Sequence, residues 1–117
     1  ADETPMPPCD VQPEELDVAI AIDRIERAVS FRVTQVRRKW AGLRTFASDK
    51  SPVVGMDESA PGFFWLAGQG GYGIQTAPAL ARAAAKLLVE GVLPDDLLSR
   101  GLVAENLLPL RLRQAPA

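Results

Sequence analysis

The stretch Phe63-Phe64-Trp65-Leu66-Ala67-Gly68-Gln69-Gly70-Gly71-Tyr72-Gly73-Ile74-Gln75-Thr76-Ala77-Pro78 constrains this chain more than any other. An apolar run leads into four glycines within six residues, and then into the opening of an alanine-rich segment. The pattern predicts a strand that turns through glycine into a helix. The start of such a helix carries amide N–H groups without intrahelical acceptors, together with the positive end of the helix dipole. A nucleotide, a flavin or a carboxylate is the kind of ligand that suits this junction.

At 117 residues the chain is one small domain or a piece of a larger one. A formal net charge of −2 argues against a nucleic-acid binder, which would carry a strongly basic stripe. Arg32, Arg37, Arg38, Lys39 and Arg44 do cluster, but acidic residues lie on either side, so they read as a solvated strand face beside one functional arginine. Cys9 is the only cysteine and cannot form an internal disulfide. With no histidine, a histidine-based triad is ruled out and a zinc site nearly so, and no metal is expected. No apolar stretch is long enough to span a bilayer, and the acidic start Ala1-Asp2-Glu3 does not resemble a signal peptide. A soluble, cytoplasmic protein is the expectation.

Residues 1–12, with Pro5, Pro7 and Pro8, read as an extended arm. Pro13 opens a helix over 13–29, in which Val18, Ile22, Ile25 and Val29 recur at helical spacing and Asp23 can pair with Arg27. From Ser30 to Phe46 β-branched and aromatic residues increase, which predicts one strand or two with a bulge near Thr34-Gln35. Trp40, Gly42 and Arg44 would then share one strand face, with Ala41, Leu43 and Thr45 on the other. Asp49 to Pro52 reads as a turn, Val53 to Met56 as a short buried strand, and Ala60-Pro61-Gly62 as a second turn. The helix after the glycines is expected to begin at Thr76 or Ala77, with Pro78 in its first turn, and to stop at Gly91. Pro94-Asp95-Asp96 starts a short helix that ends at Gly101, and another helical turn near Ala104–Leu108 ends at Pro109. Trp40, Phe63, Phe64 and Trp65 read as core or cavity wall.

Gly68, Gly70 and Gly73 match GxGxxG, a dinucleotide-binding pattern when it follows a strand and opens a helix. That fingerprint also needs a second parallel strand and an acidic residue about 20 positions on. After Gly91 there is no β-rich segment, so an independent nicotinamide-dinucleotide site is not expected.

Taken together, Trp40-Ala41-Gly42-Leu43-Arg44, then Asp49 with Pro52-Val53-Val54-Gly55, then Phe63 through Thr76, resemble the C-terminal part of the FAD-dependent D-amino-acid oxidase/dehydrogenase family. D-arginine dehydrogenase-like enzymes are the nearest in pattern, and the resemblance covers about residues 10–110. It implies an α/β (α+β) chain forming the C-terminal portion of a two-domain flavoenzyme. In that arrangement antiparallel substrate-domain strands precede a strand, glycine loop and helix that complete the FAD-binding domain. Residues 1–12 would be the arm, 13–57 the helix and strands of the substrate domain, 58–91 the FAD-domain strand, loop and helix, and 92–117 short helices and a tail.

The same resemblance implies the roles of individual residues. Arg44 would bind a substrate carboxylate, since a planar guanidinium can make two parallel charge-assisted bonds to one. Gly42 would clear space for the ligand, and Tyr72 fits either a place near the substrate or a packed aromatic. Gly70, Gly71, Tyr72, Gly73, Ile74, Gln75 and Thr76 would pass beside the flavin, where backbone donors favour the negative charge left by hydride uptake. Gln75 and Thr76 could bond the cofactor or cap the helix. No catalytic acid or base is expected in this segment. The implied reaction is hydride transfer from the Cα of a D-amino acid or similar amine to FAD, giving an imino acid. The partners would be the small-molecule carboxylate and a preceding FAD-binding portion of the same enzyme. A second reading stays open: a non-catalytic fragment or interaction module that no longer holds flavin.

Overall fold

The computed structural model describes residues 4–114 of the chain. The expected arm begins in residues 1–3, outside the described residues, while 4–14 form neither helix nor strand. The chain divides into two compact units at Leu43/Arg44.

In the first unit, helix α1 runs Glu15–Ala28, with Glu15 and Asp17 in its first turn and Arg27 in its last, the polarity a helix dipole favours. Asp23 pairs with Arg27 at 3.0 Å. None of its residues is buried, and Leu16 remains 68% exposed. The strands expected over Ser30–Phe46 are absent: this stretch joins no ladder. Alternating side chains are compatible with a strand, but a strand exists only where a neighbour takes up its backbone N–H and C=O groups. The expected bulge near Thr34-Gln35 falls away with it. Trp40, expected in a core or cavity wall, is 82% exposed.

The second unit holds, in chain order, β1 (Val53–Met56), β2 (Phe64–Ala67), α2 (Gly73–Glu90), α3 (Asp95–Leu98), a 3-10 turn (Ala104–Asn106) and α4 (Arg111–Gln114). The strands pair antiparallel, Val53 opposite Ala67 and Met56 opposite Phe64. Helix α2 packs on β1 through Leu80, Ala83, Ala84 and Leu87, around a fully covered Val54. Leu93 and Leu107 complete the core, with Phe64, Leu97 and Leu102 against it. Gly55 has φ +145, which residues with a side chain rarely adopt, and Leu108 Cδ2 lies 2.5 Å from where its Cβ would stand. Beside it, the Val54 N–H donates to Leu107 O at 2.9 Å, so the C-terminal segment covers β1.

Helix α2 begins at Gly73, three residues before Thr76, and Pro78 lies inside it instead of in the first turn. The Thr76 N–H makes the first helical bond, to Tyr72 O at 3.0 Å. Proline at position 78 forfeits the later bond to Ile74 O. Gly91 ends the helix in a left-handed conformation, as predicted. No helix among the described residues is long and apolar enough to cross a membrane.

Polar contacts tie the C-terminal segment to the rest of the unit. Arg111 donates from Nε to Asp49 Oδ2 at 2.6 Å, from Nη2 to Ser51 O at 2.8 Å, and from Nη1 to Leu107 O at 2.6 Å. Arg113 donates to Asp57 Oδ1 at 2.7 Å, and the Trp65 indole N–H donates to Asp57 Oδ2 at 2.9 Å. Asp57 is held well below the usual carboxylate range by the Trp65 indole first, then by Ser59 and Arg113. Asp49 is lowered by the Arg111 hydrogen bond and the Ser51 amide, and Asp96 by the Arg82 guanidinium.

Each of these carboxyls binds its proton less readily in the folded chain than in the unfolded one. Their contribution is therefore complete above about pH 4 and lost as pH falls through the lowered folded values. The melting temperature should be flat from neutral pH to about pH 5 and fall steeply below about pH 4. Asp57→Asn should flatten that acid limb in a melting series followed by circular dichroism, and an unchanged limb would remove Asp57 from it. Arg111→Met should cost roughly 1–3 kcal/mol of stability at neutral pH, read by urea denaturation, because the Leu107 and Ser51 carbonyls lose a charged donor.

Candidate functional site

The glycine loop follows directly from β2, and its path is set by the segment that enters the second unit. Gly70 has φ +53, a conformation open to few residues other than glycine. Its N–H donates to Thr45 O at 3.0 Å. A Cβ on Gly70 would lie 2.3 Å from Phe46 Cε1, and one on Gly68 would lie 3.5 Å from the Ala47 amide nitrogen. A side chain at Gly70 would have to displace the Phe46 ring and adopt a left-handed backbone.

Gly71 differs: a Cβ there would meet nothing within 4 Å. Packing inside the chain does not require glycine at this position, and the space in front of it is open. Tyr72 is the N-cap of α2, with φ −105 and ψ 0, in the sparsely occupied bridge region where active-site residues are often found. The residue is 44% exposed.

Gly73, Ile74 and Gln75 are the first three residues of α2. Together with Gly71 their amides meet no acceptor among the described residues. Four main-chain donors are therefore available at one helix start, backed by the dipole of an 18-residue helix. The Ile74 side chain is 96% exposed and Gln75 is also exposed, so neither covers these amides by burial. The Thr76 hydroxyl donates to Tyr72 O at 2.7 Å, which commits its proton to the first turn and leaves its lone pairs free.

Arg44 opens the second unit one residue before Thr45, whose carbonyl holds Gly70. It is exposed and pairs with no carboxylate among the described residues. Gly42 belongs to the first unit, where a Cβ would meet open space. It shares no strand face with Arg44, because neither lies in a strand. Phe63 and Trp65 meet edge to face at 4.9 Å and are 49% and 37% exposed, whereas Phe64 packs against the core.

Phe46 and Thr45 were not singled out by the sequence. Phe46 ended an alternating run and carried no motif of its own; the proximity of a glycine loop 24 residues on leaves no trace in local periodicity. The Asp57–Trp65–Arg113 cluster was equally silent, since Arg113 lies 56 residues from Asp57.

Comparison with known proteins bears on the same residues. The chain is 36% identical over 66 residues to "FAD-dependent oxidoreductase domain-containing protein 1" of Xenopus laevis, covering 56% of this chain and 13% of that protein. The proteins of the same name from Bos taurus and Mus musculus are 34% and 32% identical over 67 and 68 residues, each with 14% of their length covered. The chain thus spans about an eighth to a seventh of these relatives. Their shared name specifies a flavin-dependent oxidoreductase and no particular substrate. A family pattern described as FAD dependent oxidoreductase matches residues 3–87, a stretch that takes in Arg44, the glycine loop and most of α2, and the chain therefore belongs to that family.

Proposed function

We propose that this chain supplies the carboxylate-binding arginine and the flavin-facing loop of an enzyme that oxidises the C–N bond of a D-amino acid or similar amine. The observation that carries the reading is the junction of two features: Arg44 directly precedes the residue whose carbonyl holds Gly70, and four unoccupied main-chain donors follow within five residues. The open space in front of Gly71 fits a flat ring lying against the backbone. On this reading the amides of Gly71, Gly73, Ile74 and Gln75 would hold the electron-rich edge of FAD. When bound, FAD supplies the two-electron acceptor for the oxidation.

The chain's own residues bind and orient. Arg44 would grip the substrate carboxylate through two parallel hydrogen bonds, fixing which face of Cα is presented. The helix start would favour negative charge near its amides, a stabilisation that needs no rearrangement during the reaction. Tyr72, at the N-cap and partly exposed, would stand over the same space. The adenosine and pyrophosphate would be held by a further FAD-binding portion, in keeping with relatives seven or more times longer than the matched segment. The division into substrate-domain and FAD-domain segments, with the two-domain architecture it assumes, belongs to this proposal, as does the likeness to D-arginine dehydrogenases.

In the full-length protein, FAD should give the bound-flavin absorbance spectrum, and D-amino acids should bleach it under anaerobic conditions. A full-length protein that takes up no flavin would favour a non-catalytic interaction module. Arg44→Ala should keep its flavin but raise KM for the amino acid by about thirtyfold or more, since an unpartnered carboxylate costs roughly 2 kcal/mol or more. An unchanged KM would remove Arg44 from the site. Gly71→Val should preserve the melting temperature within a few degrees while lowering flavin occupancy, because its side chain enters space the fold leaves open; full occupancy would count against the loop.

A further inference from the structure

Phe46 is 42% exposed, although the core of its unit lies only a few residues further along the chain. What its ring rests on is a backbone. Cε1, Cδ1 and Cζ stand 2.3, 2.8 and 3.0 Å from the point where a Gly70 Cβ would be, so the ring takes the place of the side chain that glycine lacks. The residue before it accepts the Gly70 N–H at 3.0 Å, and the amide nitrogen of the residue after it lies 3.5 Å from the Cβ position of Gly68. Three consecutive residues, Thr45, Phe46 and Ala47, therefore lie against two glycines of the loop.

A glycine at positive φ has more backbone freedom than any other residue and would let the loop sample many paths. The hydrogen bond and the ring both restrict that freedom at the same residue. Arg44 is joined to this contact by one peptide bond.

We infer that Phe46 is a positioning residue for the oxidation. With Thr45 O it latches Gly70, so that the amides of Gly71 to Gln75 and the Arg44 guanidinium are held in one fixed relation. The inference rests on the proposed function and adds to it a residue that acts through its contact with the loop backbone. Preorganisation of this kind appears as affinity: if the latch is lost and only about a tenth of the molecules hold the loop correctly, apparent Kd rises about tenfold.

The test uses the full-length protein with Phe46→Ala, Phe46→Leu and, as a control for general destabilisation, Leu97→Ala, whose side chain packs against the core. Phe46→Ala should raise the Kd for FAD and the KM for the amino acid by about tenfold each. It should also shift the bound-flavin spectrum and speed hydrogen exchange at the Gly70 amide. Phe46→Leu, which keeps apolar bulk without the flat ring, should retain the melting temperature and show an intermediate rise in both constants. Leu97→Ala should lower the melting temperature and move neither constant. Wild-type constants in a folded Phe46→Ala or Phe46→Leu protein would overturn the inference, as would changes that Leu97→Ala reproduces at equal thermal loss. Exchange at Gly70 needs no flavin: faster exchange in Phe46→Ala supports the latch even if the flavin assignment fails, and unchanged exchange overturns the latch while leaving that assignment intact.

Discussion

The hydrogen bond from the Gly70 N–H to Thr45 O is the contact on which the candidate site depends. It joins two parts of the chain that lie on either side of the β1–β2 pair: the segment leaving Arg44, which lies in no strand, and the loop between β2 and α2. The ring of Phe46 closes over the same glycine. Without this crossing, the arginine would precede an unanchored segment and the helix amides would follow a loop of glycines. With it, both arise from one point of the backbone.

The glycines of the loop divide by what surrounds them. At Gly70 the Phe46 ring and a positive φ both disfavour a side chain, so glycine there is explained without a ligand. At Gly71 nothing nearby requires it. Three helix-opening amides follow it without an acceptor among the described residues. Two of the GxGxxG pattern's glycines, Gly68 and Gly70, are accounted for by their positive φ, and at Gly70 by the Phe46 ring as well.

Around the site, the second unit is held by a small core and by charged contacts that reach across the sequence. Val54 carries the packing between β1 and α2, and Arg111 binds carbonyls and a carboxylate from both ends of the unit. The first unit buries none of α1, and its extended stretch finds no ladder partner. The chain belongs to the FAD dependent oxidoreductase family, and the relatives it matches are much longer than the matched segment.

Much of this was legible in the residues themselves, because the relevant forces are local. Helical spacing and acidic residues at its start marked α1, the apolar runs at Val53 and Phe64 marked the strands, and Gly91 ended α2 through its left-handed conformation. The strand, glycine turn and helix succession that defines the candidate site was equally plain. The run from Ser30 to Phe46 alternates as a strand would yet forms none, since alternation records compatibility with a sheet and a sheet needs a neighbour. The start of α2 was placed three residues late because a proline suits a first turn, yet here Pro78 is accommodated one turn further in. What only the tertiary structure decided was the meeting of Phe46 and Thr45 with Gly70, and of Arg111 and Arg113 with Asp49 and Asp57. Contacts between residues 24 to 62 positions apart are set by how elements pack, and no short-range periodicity encodes them.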